Sequence, residues 1–117
     1  MQQIPELLEI KLLQKQHTVE LRFDNQKDYQ LSCEYLRVFS PSAEVRGHGS
    51  QPRKLITGKQ HVNITDIKPI GNYAVKFIFD DGHDSGIYSW QTLYDLCRDY
   101  PKKWQWYQHR IANEQTD

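Results

Sequence analysis

A histidine set among carboxylates is the first place to look for chemistry in this chain of 117 residues. His83 lies in the stretch F-I-F-D-D-G-H-D-S-G-I-Y-S-W, Phe77 to Trp90, with Asp80, Asp81 and Asp84 around it. A second histidine, His48, follows Glu44 by four residues. Neutral imidazole and carboxylate suit zinc, iron or manganese, and a bound ion needs three or four such ligands brought together. His83, His48 and Glu44, with Asp84, are therefore the candidate ligands for an iron or zinc ion. Spacing alone does not converge them, and a histidine in a hairpin turn is more often a solvated polar side chain.

Other chemistries find less support. A non-haem iron triad needs His-x-Asp/Glu, and none of His17, His48, His61, His83 or His109 has an acid two residues later. Ser85, His83 and Asp81 are neighbours in one hairpin, which cannot easily line up nucleophile, base and orienting acid. Cys33 and Cys97 fall on expected helical core faces, whereas a reactive thiol needs an accessible, electropositive setting. No G-x-x-x-x-G-K-[ST] or G-x-G-x-x-G phosphate loop occurs. Arg46, Arg53, Lys54 and Lys59 could meet a polyanion. Yet fifteen basic residues balance fifteen acidic ones, so no global field favours nucleic acid or anionic lipid. No apolar run approaches a membrane span. Two cysteines, far apart and outside any C-x-x-C, fit a reducing, cytoplasmic setting.

The elements that must position these residues follow from periodicity. The length suits one domain, and the aromatic content of 12% supplies core that a mean hydropathy of -0.80 would otherwise not promise. Leu8, Ile10 and Leu12 alternate with polar residues, as do Val19, Leu21 and Phe23, predicting two strands with one buried face each. Asp24-Asn25 predicts a turn, Tyr29 and Leu31 a third strand, and Ser32 caps a short helix over Cys33 to Arg37. Ser40-Pro41 is a further helix start, and Gly47 to Lys59 is a loop rich in Gly and basic residues. Val62, Ile64 and Ile67 open the next strand, followed by Tyr73 to Phe79. Asp81-Gly82 predicts a type I′ turn into a strand over Ser85 to Tyr88. Ser89 caps a helix whose apolar stripe is Trp90, Leu93, Leu96 or Cys97, and Tyr100. Pro101 starts a second helix or kinks the first. In it Trp104, Tyr107 and Ile111 share a face that docks on the core, while Trp106 points elsewhere and is free to anchor a partner.

Val19 to Leu31 lies over Val75 to Ile87 as an internal repeat, with Phe23 on Phe79, Asp24 on Asp80 and Asp28 on Asp84. A serine-initiated helix follows each copy. The expected fold is α+β: a single small domain, mainly antiparallel sheet from two strand-strand-strand-helix units, over residues 1–99, with a C-terminal helical extension over 100–117.

Three motifs carry a resemblance: L-R-V-F-S-P-S-A-E-V-R-G-H (Leu36 to His48), P-I-G-N-Y-A-V (Pro69 to Val75) and F-D-D-G-H-D-S-G-I-Y-S-W (Phe79 to Trp90). Together they resemble the gamma-butyrobetaine hydroxylase-like N-terminal domain family, from roughly Pro5 to Cys97. The resemblance implies a domain that precedes an iron and 2-oxoglutarate dependent oxygenase part and aids assembly without supplying the iron triad. That catalytic part is missing from these residues. The family can hold a structural zinc through three cysteines and one histidine. The histidine falls on His83, but the cysteine positions fall on Ser40, Ser42 and Val45, and serine and valine do not replace thiolate. The module also resembles part of chloroplast iron-sulfur scaffold proteins, which by analogy implies a role in iron-sulfur or iron-enzyme maturation.

The leading expectation is a non-catalytic module that binds a protein partner. Its surface is expected to combine Ser40, Glu44, Arg46 and His48 with Asp81 and His83 of the turn, and Trp106 as a second patch. The rival is the metal-binding protein set out above.

Overall fold

The computed structural model describes residues 5–41 and 56–114. Three strands, β1 (Leu7–Leu13), β2 (Thr18–Phe23) and β3 (Asp28–Ser32), form an antiparallel sheet in that order, and α1 (Cys33–Val38) follows. The pattern then repeats as β4 (Ile64–Ile70), β5 (Ala74–Phe79), β6 (Ile87–Ser89) and α2 (Trp90–Arg98). A last helix, α3 (Tyr100–Glu114), ends the described chain. The architecture is thus the α+β fold of two strand-strand-strand-helix units and a C-terminal helix that the periodicity predicts.

The units match down to single hydrogen bonds. Phe23 N–H donates to Lys27 O at 3.1 Å, and Phe79 N–H to His83 O at 3.0 Å. Asp24 and Asp80 each turn a carboxylate back onto the strand before: Asp24 Oδ1 accepts Glu6 N–H at 3.1 Å and Asp80 Oδ1 accepts Asn63 N–H at 3.0 Å. The first strand of each unit is bulged, between Leu7 and Glu9 and between Ile64 and Asp66. Ser32 and Ser89 cap the two helices by accepting the Tyr35 and Thr92 N–H groups, donors that a helix start leaves without intrahelical partners.

Three local expectations are corrected. The second turn is not type I′, because among its residues only Gly82 has positive φ, at 93°. With Gly82 N–H bonded to Phe79 O it is a three-residue loop ending in a left-handed glycine. That loop leads into Ile87–Ser89, a shorter strand than expected, and the register there is displaced by one position from the sequence alignment of the repeat. Leu31 pairs with Val19, but Tyr88, not Ile87, pairs with Val75. A slip of one residue exchanges the faces of a strand, so Tyr88 is fully buried and Ile87 is 46% exposed. Leu8, expected in the core, is 57% exposed because the bulge turns it out and hands its place to Leu7.

One core joins the units. Val19, Leu21 and Phe23 of β2 share one buried cluster with Val75, Phe77 and Phe79 of β5 and with Leu36, Leu93 and Tyr107. Tyrosines fasten helices across the divide: Tyr35 OH donates to Leu96 O at 2.7 Å, and Tyr88 OH to Leu36 O at 2.6 Å. Both acceptors are last-turn carbonyls, which helices leave unsatisfied. Tyr94 of α2 packs edge-on against Phe23 of the first sheet at 5.5 Å, while α1 reaches the second unit through Leu36. Each helix therefore docks against the other unit. Pro101 falls in the first turn of α3, where its missing N–H is no loss, so it opens a new helix. Tyr107 of that helix is buried, with its hydroxyl on Glu34 at 3.1 Å. No helix among the described residues is long and apolar enough to cross a membrane.

Candidate functional site

The site grows from the place where α1 ends. Ser40 follows that helix and is fully buried. Its Oγ shares a hydrogen bond with His83 Nε2 at 2.9 Å. The sequence placed Ser40 and His83 far apart in the chain; the fold closes them because the β5–β6 turn folds over the α1 C-terminus. The turn holds His83 by its main chain, since Phe79 N–H donates to its carbonyl and Asp81 Oδ1 accepts its N–H at 3.1 Å. The imidazole lies against the Phe79 ring at 5.9 Å.

Asp81 is the electrostatic centre of the cluster. Its Oδ2 accepts from Arg37 Nε at 2.8 Å and Lys59 Nζ at 2.7 Å. Burial alone would push this carboxyl up, but the Lys59 ammonium, the His83 N–H and the Arg37 guanidinium outweigh it and hold the group at about 2. α1, the segment around Lys59 and the β5–β6 turn are thereby tied at one carboxylate. Sequence reasoning missed Arg37 altogether and read Lys59 only as a loop cation. The signal available was an acid-rich turn with basic residues elsewhere, which does not say which cation arrives.

The cluster does not have the geometry of a hydrolase. A hydroxyl 2.9 Å from an imidazole nitrogen is the first half of a nucleophile pair. Asp81, however, meets His83 through the main chain, and Ser40 has no surface for a substrate to reach. The thiols are no better placed: burial pushes Cys33 up to about 11 and Cys97 up to about 12, far from the thiolate form.

Nor does the donor set fit the zinc that the resemblance implies. One neutral hydroxyl and one imidazole face each other where thiolates would be needed. Among the described residues no group of three or more His, Cys, Asp or Glu side chains is placed to hold a metal. Glu44, Arg46 and His48, with Ser42, Val45, Arg53 and Lys54, lie outside the described residues.

Trp106 is closer to the rest than its helical position suggested. Rather than pointing away, it is half-buried, with its ring 5.9 Å from Phe39 and the Arg110 guanidinium 5.3 Å above it. Phe39 directly precedes Ser40, so Trp106 packs on the residue next to the Ser40–His83 pair. Phe39, Trp106, Lys102 and Lys103 line an open depression of about 340 Å³, with Lys103 Nζ 5.4 Å over the Phe39 ring. Phe39, Lys102 and Lys103 were not singled out in the sequence, although the two lysines directly precede Trp104.

These features define a duplicated α+β domain with an internally paired polar cluster beside a shallow aromatic surface. The chain belongs to the gamma-butyrobetaine hydroxylase-like N-terminal family, whose model matches residues 10–94. It is 47% identical to a protein with a solution NMR structure, at a TM-score of 0.81 over 100% of this chain and 89% of that one. A second solution NMR structure is 40% identical, with a TM-score of 0.80 over 94% and 86% of the two chains. A crystal structure from Acidithiobacillus ferrooxidans, of a protein of unknown function in the DUF971 family, is 33% identical, with a TM-score of 0.68 over 80% of this chain and 97% of that one. No curated protein matches the chain.

Proposed function

We propose that this domain is a non-catalytic, cytoplasmic protein-interaction module that assists iron-sulfur or iron-enzyme maturation. Its contact surface is the depression that Phe39, Trp106, Lys102 and Lys103 line, beside the Asp81–His83 turn. The observation that carries this reading is the contrast at that surface. The polar groups are engaged with one another, while next to them Phe39 and Trp106 border an open depression between Lys102 and Lys103. Aromatic anchors flanked by cations are the residue types on which binding energy concentrates at interfaces. The maturation role rests on analogy with the family's association with iron enzymes.

The test is affinity capture with mass spectrometry, followed by titration of the purified partner against wild type and Lys102→Glu/Lys103→Glu. Both lysines are at the rim, so the thermal midpoint should stay within a few degrees while affinity falls about tenfold. Equal affinity for the double variant would remove this surface from the proposal. Elemental analysis of protein purified without an affinity tag after iron and zinc supplementation decides the rival reading. A stoichiometry near one metal per chain, lost in His83→Ala, would replace an interaction role with metal binding.

A further inference from the structure

The two units differ most on the faces that their sheets turn away from the core. On the first sheet the register sets Arg22 between Glu9 and Asp28, each carboxylate 3.6 Å from the guanidinium, and Lys11 opposite Glu20. Every charged row is matched. On the second sheet the equivalent rows read Asp66 opposite Ile78, and Lys68 opposite Lys76 opposite Ile87. Like charges directly across a strand pair are unfavourable. Among the described residues neither lysine has an ion-pair partner. The same face carries Ile70 and Ile78, which are half-buried, and Ile87, which is 46% exposed.

We propose that the outward face of the β4–β5–β6 sheet docks an acidic protein segment, with apolar side chains on Ile70, Ile78 and Ile87 and carboxylates on Lys68 and Lys76. Charge complementarity selects this occupant. A second copy using the same face would offer its two lysines only one aspartate, Asp66, in return, a poorer match than an acidic segment. The outward face of the first sheet cannot serve either, since two of its carboxylates already hold Arg22. An anionic bilayer attracts clusters of four or more cations, whereas here two lysines share the face with exposed Asp66. The surface is separate from the Phe39–Trp106 depression and does not depend on it.

The probe is an N-acetylated peptide alternating glutamate with isoleucine, titrated into the full chain labelled with nitrogen-15, beside its lysine-for-glutamate counterpart and phosphatidylserine vesicles. Amide shifts should concentrate on β4, β5 and β6. Lys76→Glu should weaken binding about tenfold while keeping or raising the thermal midpoint, because it recreates the Lys11–Glu20 arrangement of the first sheet. Should that variant fail to fold, Lys68→Gln gives the same reading with a smaller loss. Glu20→Gln, on the outward face of the first sheet, should bind as wild type. The proposal is overturned by absent or scattered shifts, by equal affinity for the lysine peptide, by an unaffected Lys76→Glu or Lys68→Gln, or by binding to vesicles alone.

Discussion

The turn at Asp24–Gln26 and the turn at Asp80–Gly82 are the same piece of local chemistry put to different ends. Asn25 Oδ1 accepts Lys27 N–H at 3.1 Å, and Asp81 Oδ1 accepts His83 N–H at the same distance. Gln26 and Gly82 both take left-handed backbone, at φ 66° and 93°. The side chain at the middle position separates them. An amide at Asn25 completes its turn and stops, whereas a carboxylate at Asp81 completes the turn and then draws Arg37 and Lys59 onto its other oxygen. One charge therefore converts a hairpin turn into the joint of the candidate site. The reciprocal docking of the helices makes the joint matter to both units, because Arg37 belongs to the helix of the first.

The comparison breaks most decisively through the core. Phe77→Ala, in the second sheet, should destabilise by about 3 to 5 kcal/mol. If the units are interlocked as their helices indicate, amide exchange in β2 should accelerate together with that in β5. Protection surviving in the first sheet alone would mean that the units fold separately. Next are the cross-unit tyrosines. Tyr35→Phe and Tyr88→Phe each strand a buried helix carbonyl and should cost about 1 to 3 kcal/mol by denaturant melts. A much smaller loss at one of them would show that the two unions are unequal.

Asp81→Asn sharpens the contrast between turns by making the second resemble the first. Discounted for solvent screening, the loss should be about 1 kcal/mol at neutral pH. The sign with pH follows from the depressed folded-state value. The contribution of Asp81 is fully present above the ordinary carboxylate range near 3.8 and disappears as pH falls through about 2. Acid titrations of wild type and variant should therefore converge in that window; parallel curves would mean that the ion pairs contribute nothing. The smallest effect belongs to the left-handed positions. Gln26→Gly should stabilise by about 0.5 kcal/mol and Gly82→Ala should destabilise by a similar amount, since a side chain is strained at positive φ.

Much of this fold was legible because its signals are local. Alternation marked the strands, serines marked the helix starts, and Asp-Asn and Asp-Gly marked the turns, so the repeat emerged from the sequence. Its register did not. The bulge that expels Leu8 and the slip that buries Tyr88 in place of Ile87 are choices between faces, made by what lies across the core. Of the candidate site, Ser40, Asp81 and His83 were named in advance and do converge. Arg37 and Phe39 were not, since nothing local distinguishes them from other residues at the end of a short helix. Helical angle alone sets Trp106 off the face of Trp104 and Tyr107, and only the fold shows that Phe39 lies against it.

By itself the sequence determined the two units, their caps, the positions of their turns, and the family to which the chain belongs. Those properties depend on residues within a few positions of one another, where propensity and side chain-to-backbone bonding act directly. The tertiary structure decided which unit each helix would reach, which cations would meet Asp81, and that Trp106 would lie against Phe39. These pairings join residues remote in the chain, and they are selected only when a shared core brings both partners to the same place.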